Sequence, residues 1–171
     1  MKRTSNYLLG VILMLVATAS QADMKRANVC TYANANQRCV TVPLADAAQD
    51  AVAKQFQPPA AGESSIYIVR ASAAVKRQAS AISLDGQAVA DLGPFTYVVA
   101  RVPPGHHTIS ASADKTAEID LNVEPGKLYF VATGLSLMFF TVGSKLKLLD
   151  EADGRSLVLK AARVADHQSQ G

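Results

Sequence analysis

Histidine, cysteine and the spacings that mark familiar catalysts are all scarce in this 171-residue chain, and each shortage removes a class of chemistry. There are three histidines, and His167 sits four residues from the end. His106 and His107 are adjacent, so on a strand they point to opposite faces and cannot share one metal ion. The Gly-x-Ser-x-Gly elbow of a serine nucleophile is absent. Gly143-Ser144-Lys145 lacks the preceding glycine spacing of a phosphate loop. Asp150, Glu151 and Asp153 do not follow the Asp-x-Asp-x-Asp-Gly order of a calcium loop. No arginine-rich stripe with interleaved aromatics occurs, which argues against nucleic acid as a partner. No catalytic residue, cofactor or metal ion is therefore expected.

Two cysteines, Cys30 and Cys39, are the only ones, and what precedes them says how to read them. Lys2 and Arg3 begin a basic start, Tyr7–Val16 is an apolar run, and Ala17–Ala22 supplies small residues. That is the pattern of a secretory signal, predicted over residues 1–22 with cleavage after Ala22, or alternatively after Ala19. The run is too short for a membrane span, which needs roughly 20 apolar residues. Removal leaves 149 residues, enough for one domain, with 15 basic against 14 acidic side chains. The expected location is periplasmic or secreted. In an oxidising compartment, Cys30 and Cys39 across a polar segment predict one disulfide, which would staple a lead-in of residues 23–43. Lipidation of Cys30 is the competing reading, but Ala27-Asn28-Val29 lacks the Leu-small-small box.

Pro43 opens a helix-like segment, Leu44–Phe56, with an alanine-rich stripe at helical spacing and Asp50 set four residues before Lys54. Pro58-Pro59 ends it. From Ser64 the pattern changes to strands, beginning with the β-branched and aromatic run Ser64–Arg70. The segment Ala71–Gln78, with Lys76 and Arg77, reads as a solvated connection. Ser80–Asp85 is a strand ended by Asp85-Gly86, a strong hairpin turn. Phe95–Val102 carries bulk on both faces and is expected to be central.

Pro103-Pro104-Gly105 forces a reversal, since proline fixes φ and glycine accepts positive φ. His107, Ile109, Ala111 and Ala113 then alternate with polar residues, as do Ile119, Leu121 and Val123. That period of two marks antiparallel strands with one wet face. Leu128–Thr133 and Leu137–Val142 read as two buried strands separated by a bend at Gly134–Ser136. Lys145–Leu149 is a further strand with Leu146 and Leu148 inward, and Asp153-Gly154 reads as a turn into Ser156–Lys160. Residues 161–171 read as a C-terminal tail. The fold class is mainly β: a single antiparallel β-sandwich over residues 44–160, preceded by one short amphipathic helix.

Several of these pieces recur together. Phe56-x-Pro58-Pro59, Ile66–Arg70, Ile82-x-Leu84-Asp85-Gly86, Val102-x-Pro104-Gly105-x-His107-x-Ile109 and Gly126-x-x-Tyr129 stand in that order. The chain from about Leu44 to Lys160 resembles a bacterial envelope family known as domain of unknown function 2846. The Asp-Gly and Pro-Gly-x-His elements also resemble PEGA domains, small β-sandwiches of exported proteins with a transthyretin-like build. The resemblance implies a sandwich with a helix in front and brings no catalytic residues. At its position in that pattern His107 is expected to pack at the turn and bond a backbone carbonyl.

Function is then expected to be association. Phe139 and Phe140 are neighbours on a predicted strand, so they face opposite sides: the N-terminal helix or the C-terminal segment covers the outer one, or, if the sheet is covered on one side only, an uncovered aromatic is left that suits a partner. With Lys76 and Arg77 they form the candidate binding surface, toward an envelope protein or glycan. The alternative is a cell-wall hydrolase whose carboxylates, among Asp114, Glu118, Asp120, Glu124, Asp150, Glu151 and Asp153, gather in space.

Overall fold

A computed structural model describes residues 26–27 and 40–167. The signal segment, Cys30 and Cys39 with their expected disulfide, and residues 168–171 lie outside the described residues. In chain order the elements are β1 (Arg26–Ala27), β2 (Val42–Pro43), α1 (Ala47–Ala53), β3 (Ser64–Arg70), β4 (Ser80–Leu84), β5 (Gln87–Leu92), β6 (Thr96–Val102) and β7 (Gly105–Ser112). There follow β8 (Thr116–Val123), β9 (Leu128–Met138), β10 (Thr141–Leu149), α2 (Glu151–Leu159) and β11 (Ala162–Arg163).

Two sheets face each other. One has the order β10-β9-β3-β6-β11 and the other β5-β4-β7-β8, while β1 and β2 pair separately. Between them lie Ile66, Ile68, Val98, Val102 and Val131 from the first sheet, with Ile82, Leu92, Ile109, Ala111, Leu121 and Val123 from the second. The alternation in β7 and β8 does what its period of two dictates: the apolar set turns inward and Thr108, Ser110, Glu118 and Asp120 line a wet outer face. The mainly β sandwich expected from the sequence is therefore what the chain forms.

The five-stranded sheet is covered on its second face as well. Tyr67, Val69, Tyr97 and Phe130 alternate with the inter-sheet set and pack under Phe56, Val158 and Ala161. Tyr67 stacks on Phe130 with centroids 5.1 Å apart, and Phe56 meets Phe130 edge-on at 5.9 Å. This third layer explains why β3 is buried along its whole length, inward and outward residues alike. The bulk on both faces of β6 has the same cause, although β3 rather than β6 is the middle strand of the sheet.

Several local expectations are corrected. The helix starts at Ala47 and not at Leu44, because the Asp46 carboxylate accepts the Gln49 N–H at 2.7 Å and caps it there. Pro43 belongs to β2, and Leu44 bridges Val164. The alanine stripe buries nothing: no residue of α1 is buried, and Phe56 reaches the core only after the helix has ended, at φ +51°. The Asp50–Lys54 pair does form, at 2.8 Å.

No bend occurs at Gly134–Ser136. One strand, β9, runs through to Met138 and pairs with β10 in unbroken register from Phe130↔Leu149 to Met138↔Thr141. Leu146 packs on the inter-sheet core, but Leu148 stays largely exposed. The predicted Asp153-Gly154 turn is corrected: both residues lie in the first turn of α2, capped by the Asp150 carboxylate on the Asp153 N–H, and Ser156–Leu159 continue the same helix. The residues read as a tail also join the fold: Ala161 and Val164 are buried, and β11 pairs with β6. Among the described residues no helix is long and apolar enough to cross a membrane.

Candidate functional site

The longest hairpin of the molecule, β9–β10, ends in the two-residue turn Phe139-Phe140. Both rings stand in solvent, 96% and 99% exposed, and Leu137 and Met138 beside them are more than half exposed. The expectation of one inward and one outward phenylalanine is corrected, because neither lies on a strand. Phe139 carries φ +51°, a left-handed conformation that aromatic side chains rarely adopt. Four consecutive apolar residues thus form a projecting tip, and among the described residues nothing covers the two rings.

The tip is fixed to the body of the sandwich by its base. The Asp114 carboxylate, in the β7–β8 turn, accepts the Val142 N–H at 2.7 Å and the Gln78 side-chain amide at 3.2 Å. Those two bonds, the Val142 one first, hold the Asp114 pKa below the usual carboxylate value. Lys115 continues the tie, since its N–H donates to the Val142 carbonyl and it bridges Gly143. Through Gln78 the loop bearing Lys76 and Arg77 is drawn to the same end of the sandwich as the phenylalanines. Gln78, one residue after Arg77, and Val142, two residues after Phe140, thus meet on the one Asp114 carboxylate.

What shapes that loop is Arg70, which the sequence analysis left inside a strand. It is fully buried, and among the described residues its guanidinium forms no ion pair and its Nε has no hydrogen-bond partner. Instead Nη1 donates to the carbonyls of Gln78 at 2.7 Å and Leu92 at 3.1 Å, and Nη2 to those of Ala74 at 2.8 Å and Val75 at 3.1 Å. Burial lowers its pKa to about 10, still cationic at neutral pH. A buried charge is tolerated only where such partners surround it. The loop from Ala71 to Ala79 is in effect wound around one cation. Parity offered a sequence-level clue: Arg70 has the register of Ile66 and Ile68, so it had to point between the sheets.

At the opposite end the turn residues Asp85, Gly86, Pro104, Gly105 and His107 form a second cluster. The His107 ring lies with Nδ1 2.7 Å from Asp85 Oδ2 and Nε2 2.9 Å from the Pro103 carbonyl. Both neighbours are acceptors, so the arrangement is satisfied when both ring nitrogens carry protons. Burial, the largest single influence, pulls the His107 pKa down. The Asp85 bond, the Pro103 carbonyl and the Asp85 charge outweigh it, and the net direction is upward. The other Asp85 oxygen accepts the Thr108 N–H at 2.8 Å, and the His107 bond, followed by this one, lowers the Asp85 pKa. This cluster locks two turns together. His106, on the other face of β7, is exposed 3.8 Å from Asp120.

The carboxylates are dispersed among structural tasks. Asp46 and Asp150 cap helices, Asp114 ties loops, and Glu118 and Asp120 accept from Ser110 and Thr108 on the open sheet face. Glu151 pairs with Arg155 within α2. Among the described residues no three of His, Cys, Asp and Glu stand close enough to hold a metal ion.

The chain is similar to an uncharacterized protein of Haemophilus influenzae, with 27% identity over 143 residues, spanning 83% of this chain and 85% of that one. No protein-family model matches the chain. No solved structure does either.

Proposed function

We propose that this protein is an exported, non-enzymatic module of the bacterial cell envelope that works by association, and that the β9–β10 tip is its working surface. The observation that carries this reading is the pair Phe139-Phe140, almost wholly exposed on a rigid hairpin. Burying one such side chain contributes about 1.5–3 kcal/mol, and nothing within the described chain collects that energy at either ring. An apolar projection of this kind costs solubility in isolation and gains only on contact with a partner. Arg77 and Lys115, exposed on the two loops tied to the hairpin base, add positive charge at the same end. Over a Debye length of about 8 Å they steer encounter with an anionic envelope component more than they hold it.

The resemblance to domain of unknown function 2846 accords with such a role, and so does a sandwich whose carboxylates are spent on caps and loop ties. The experiment is in-cell photocrosslinking from probes placed at 139, 140 and 115 in turn, with probes on the outer face of β8 as the comparison. Adducts of one defined mass from all three probes are expected, with the adduct from 115 lost in a Phe139→Ser/Phe140→Ser chain of unchanged melting temperature. Equal labelling from β8, or peptidoglycan degradation by the purified protein that survives the tip substitutions, would overturn the reading.

A further inference from the structure

The sheet edge farthest from the tip is built differently. On that side β6 is paired by β11 at Thr96 and Tyr97 alone. Val164 donates to the Tyr97 carbonyl at 2.9 Å, and the chain then leaves: the next residue, Ala165, donates to Pro43. β6 itself runs on to Val102. Main-chain groups alternate sides along a strand, so Tyr97 fixes the parity. Val99 and Arg101 direct their N–H and C=O groups to the same edge, while Val98, Ala100 and Val102 face β3. Among the described residues no strand pairs with the edge there.

Beside this stretch lies an open groove of about 630 Å³. Gln49 and Val52 of α1 form one wall, Leu84 and Val89 of the β4–β5 hairpin the other, and Val99–Arg101 the floor. α1 stands over the groove on polar contacts and not on buried side chains. Asp50 Oδ1 accepts from the Tyr97 hydroxyl at 2.9 Å and from the Arg163 N–H at 3.0 Å, and Tyr67 donates to the Ala53 carbonyl. The helix therefore acts as a spacer that keeps the edge uncovered.

The charges along the groove are unequal in commitment. The Asp46 carboxylate is occupied as the helix cap, and Asp166 lies 3.9 Å from the Arg163 guanidinium. Arg163 also donates to the Gln49 carbonyl at 3.3 Å, and its buried Nε has no hydrogen-bond partner among the described residues. Arg101 is exposed and makes no ion pair or hydrogen bond among the described residues.

We infer that this groove docks an extended acidic peptide segment of a partner protein, added as a short strand to the β6 edge at Val99–Arg101 with a carboxylate on Arg101. The main-chain groups of Val99 and Arg101 supply the ladder, and alternate side chains of the incoming strand enter against Val52 on one side and Leu84 and Val89 on the other. At about 3.3 Å per residue the free stretch takes three to five residues. Arg101 selects the sign of charge. An unguarded edge invites indiscriminate pairing, and one arginine placed on it admits acidic strands while repelling basic ones.

The test uses the isotope-labelled mature chain and a blocked hexapeptide alternating valine and threonine with one central glutamate. Saturable amide shifts and at least tenfold slower hydrogen exchange at Val99 and Arg101 are expected. Arg101→Glu should weaken binding at least tenfold, and a peptide with lysine in place of the glutamate should restore it on that variant. N-methylation of alternate peptide amides should abolish binding to both. Three results would each overturn the proposal: no perturbation of the edge amides, equal binding of a glutamine peptide to both chains, or shifts confined to the β9–β10 tip.

Discussion

The chain contains the dipeptide Asp-Gly twice, at Asp85-Gly86 and at Asp153-Gly154, and the two do opposite work. In the first, both residues take positive φ, +51° and +78°, and a Cβ placed on Gly86 would meet nothing within 4 Å. That glycine is there for backbone freedom. In the second, Asp153 and Gly154 lie in the first turn of α2, and a Cβ on Gly154 would overlap Phe130, with ring atom Cδ1 at 2.7 Å and the side chain's Cγ and Cβ nearer still. That glycine is there for space. A turn can be read from a dipeptide because its cause is local. A helix pressed onto a strand cannot, because its cause is an aromatic side chain more than twenty residues away.

The sharpest way to break this comparison is to add a single methyl group to each glycine. Gly154→Ala improves helix propensity by about 1 kcal/mol, so a purely local role predicts stabilisation. The packing predicts the reverse. Phe130 is wedged between Phe56, Tyr67 and α2, and the overlapping atoms are next to its backbone, so it has no rotamer to retreat into. Net destabilisation of about 3 kcal/mol is expected in denaturant titration. Phe130→Leu in the same chain should return part of the loss, which a local effect would not allow.

Asp85→Ala comes next. It removes the Thr108 N–H acceptor and strips His107 of its anionic neighbour, leaving a buried ring facing only Pro103. Because the Asp85 side chain is about half exposed, solvent softens the loss. About 1.5 kcal/mol is expected by the same titration. Gly86→Ala should cost less, about 1 kcal/mol, the strain of one left-handed alanine in otherwise open space. Should Gly86→Ala prove costlier than Gly154→Ala, the assignment of freedom to one and space to the other is inverted.

The same distinction separates what was legible in the sequence from what was not. Period-two alternation gave β7 and β8 with their inward faces, because each strand carries its own pattern. Asp85-Gly86 placed the β4–β5 hairpin for the same reason. The β9–β10 turn went unread because Phe139-Phe140 contains none of the residues that turns favour; the register of a long ladder imposes it. The Arg70 cradle was half legible: parity put the side chain inward, but its four carbonyl partners come from a loop and from β5 of the facing sheet. At the candidate site, Lys76, Arg77, Phe139 and Phe140 were identified one stretch at a time. Their common end depends on Asp114, which looked like one more solvated acid. The β6 edge had no sequence trace at all, since an unpaired strand is defined by what fails to lie beside it.

The smallest expected effect is the pH dependence of the Asp85–His107 lock, and its sign follows from the two shifts. His107 has a folded pKa above its ordinary value of about 6.5, so its contribution is complete below pH 6.5 and fades as pH rises through the folded value. Asp85 has a folded pKa below its ordinary value of about 3.8, so its contribution is complete above that pH and fades as pH falls through the folded value. The lock is therefore strongest between about pH 4 and pH 6.5. Above that window His107 loses a proton and one ring nitrogen must face an acceptor, Asp85 or the Pro103 carbonyl, without a hydrogen to offer. The melting temperature of the protein, compared with that of a His107→Gln chain, should exceed it most inside the window and by less at pH 8. The difference isolates the His107–Asp85 pair from the other titrating groups. A difference that grows above pH 6.5 would mean that His107 is held neutral, and that the Asp-Gly turn is closed by its backbone alone.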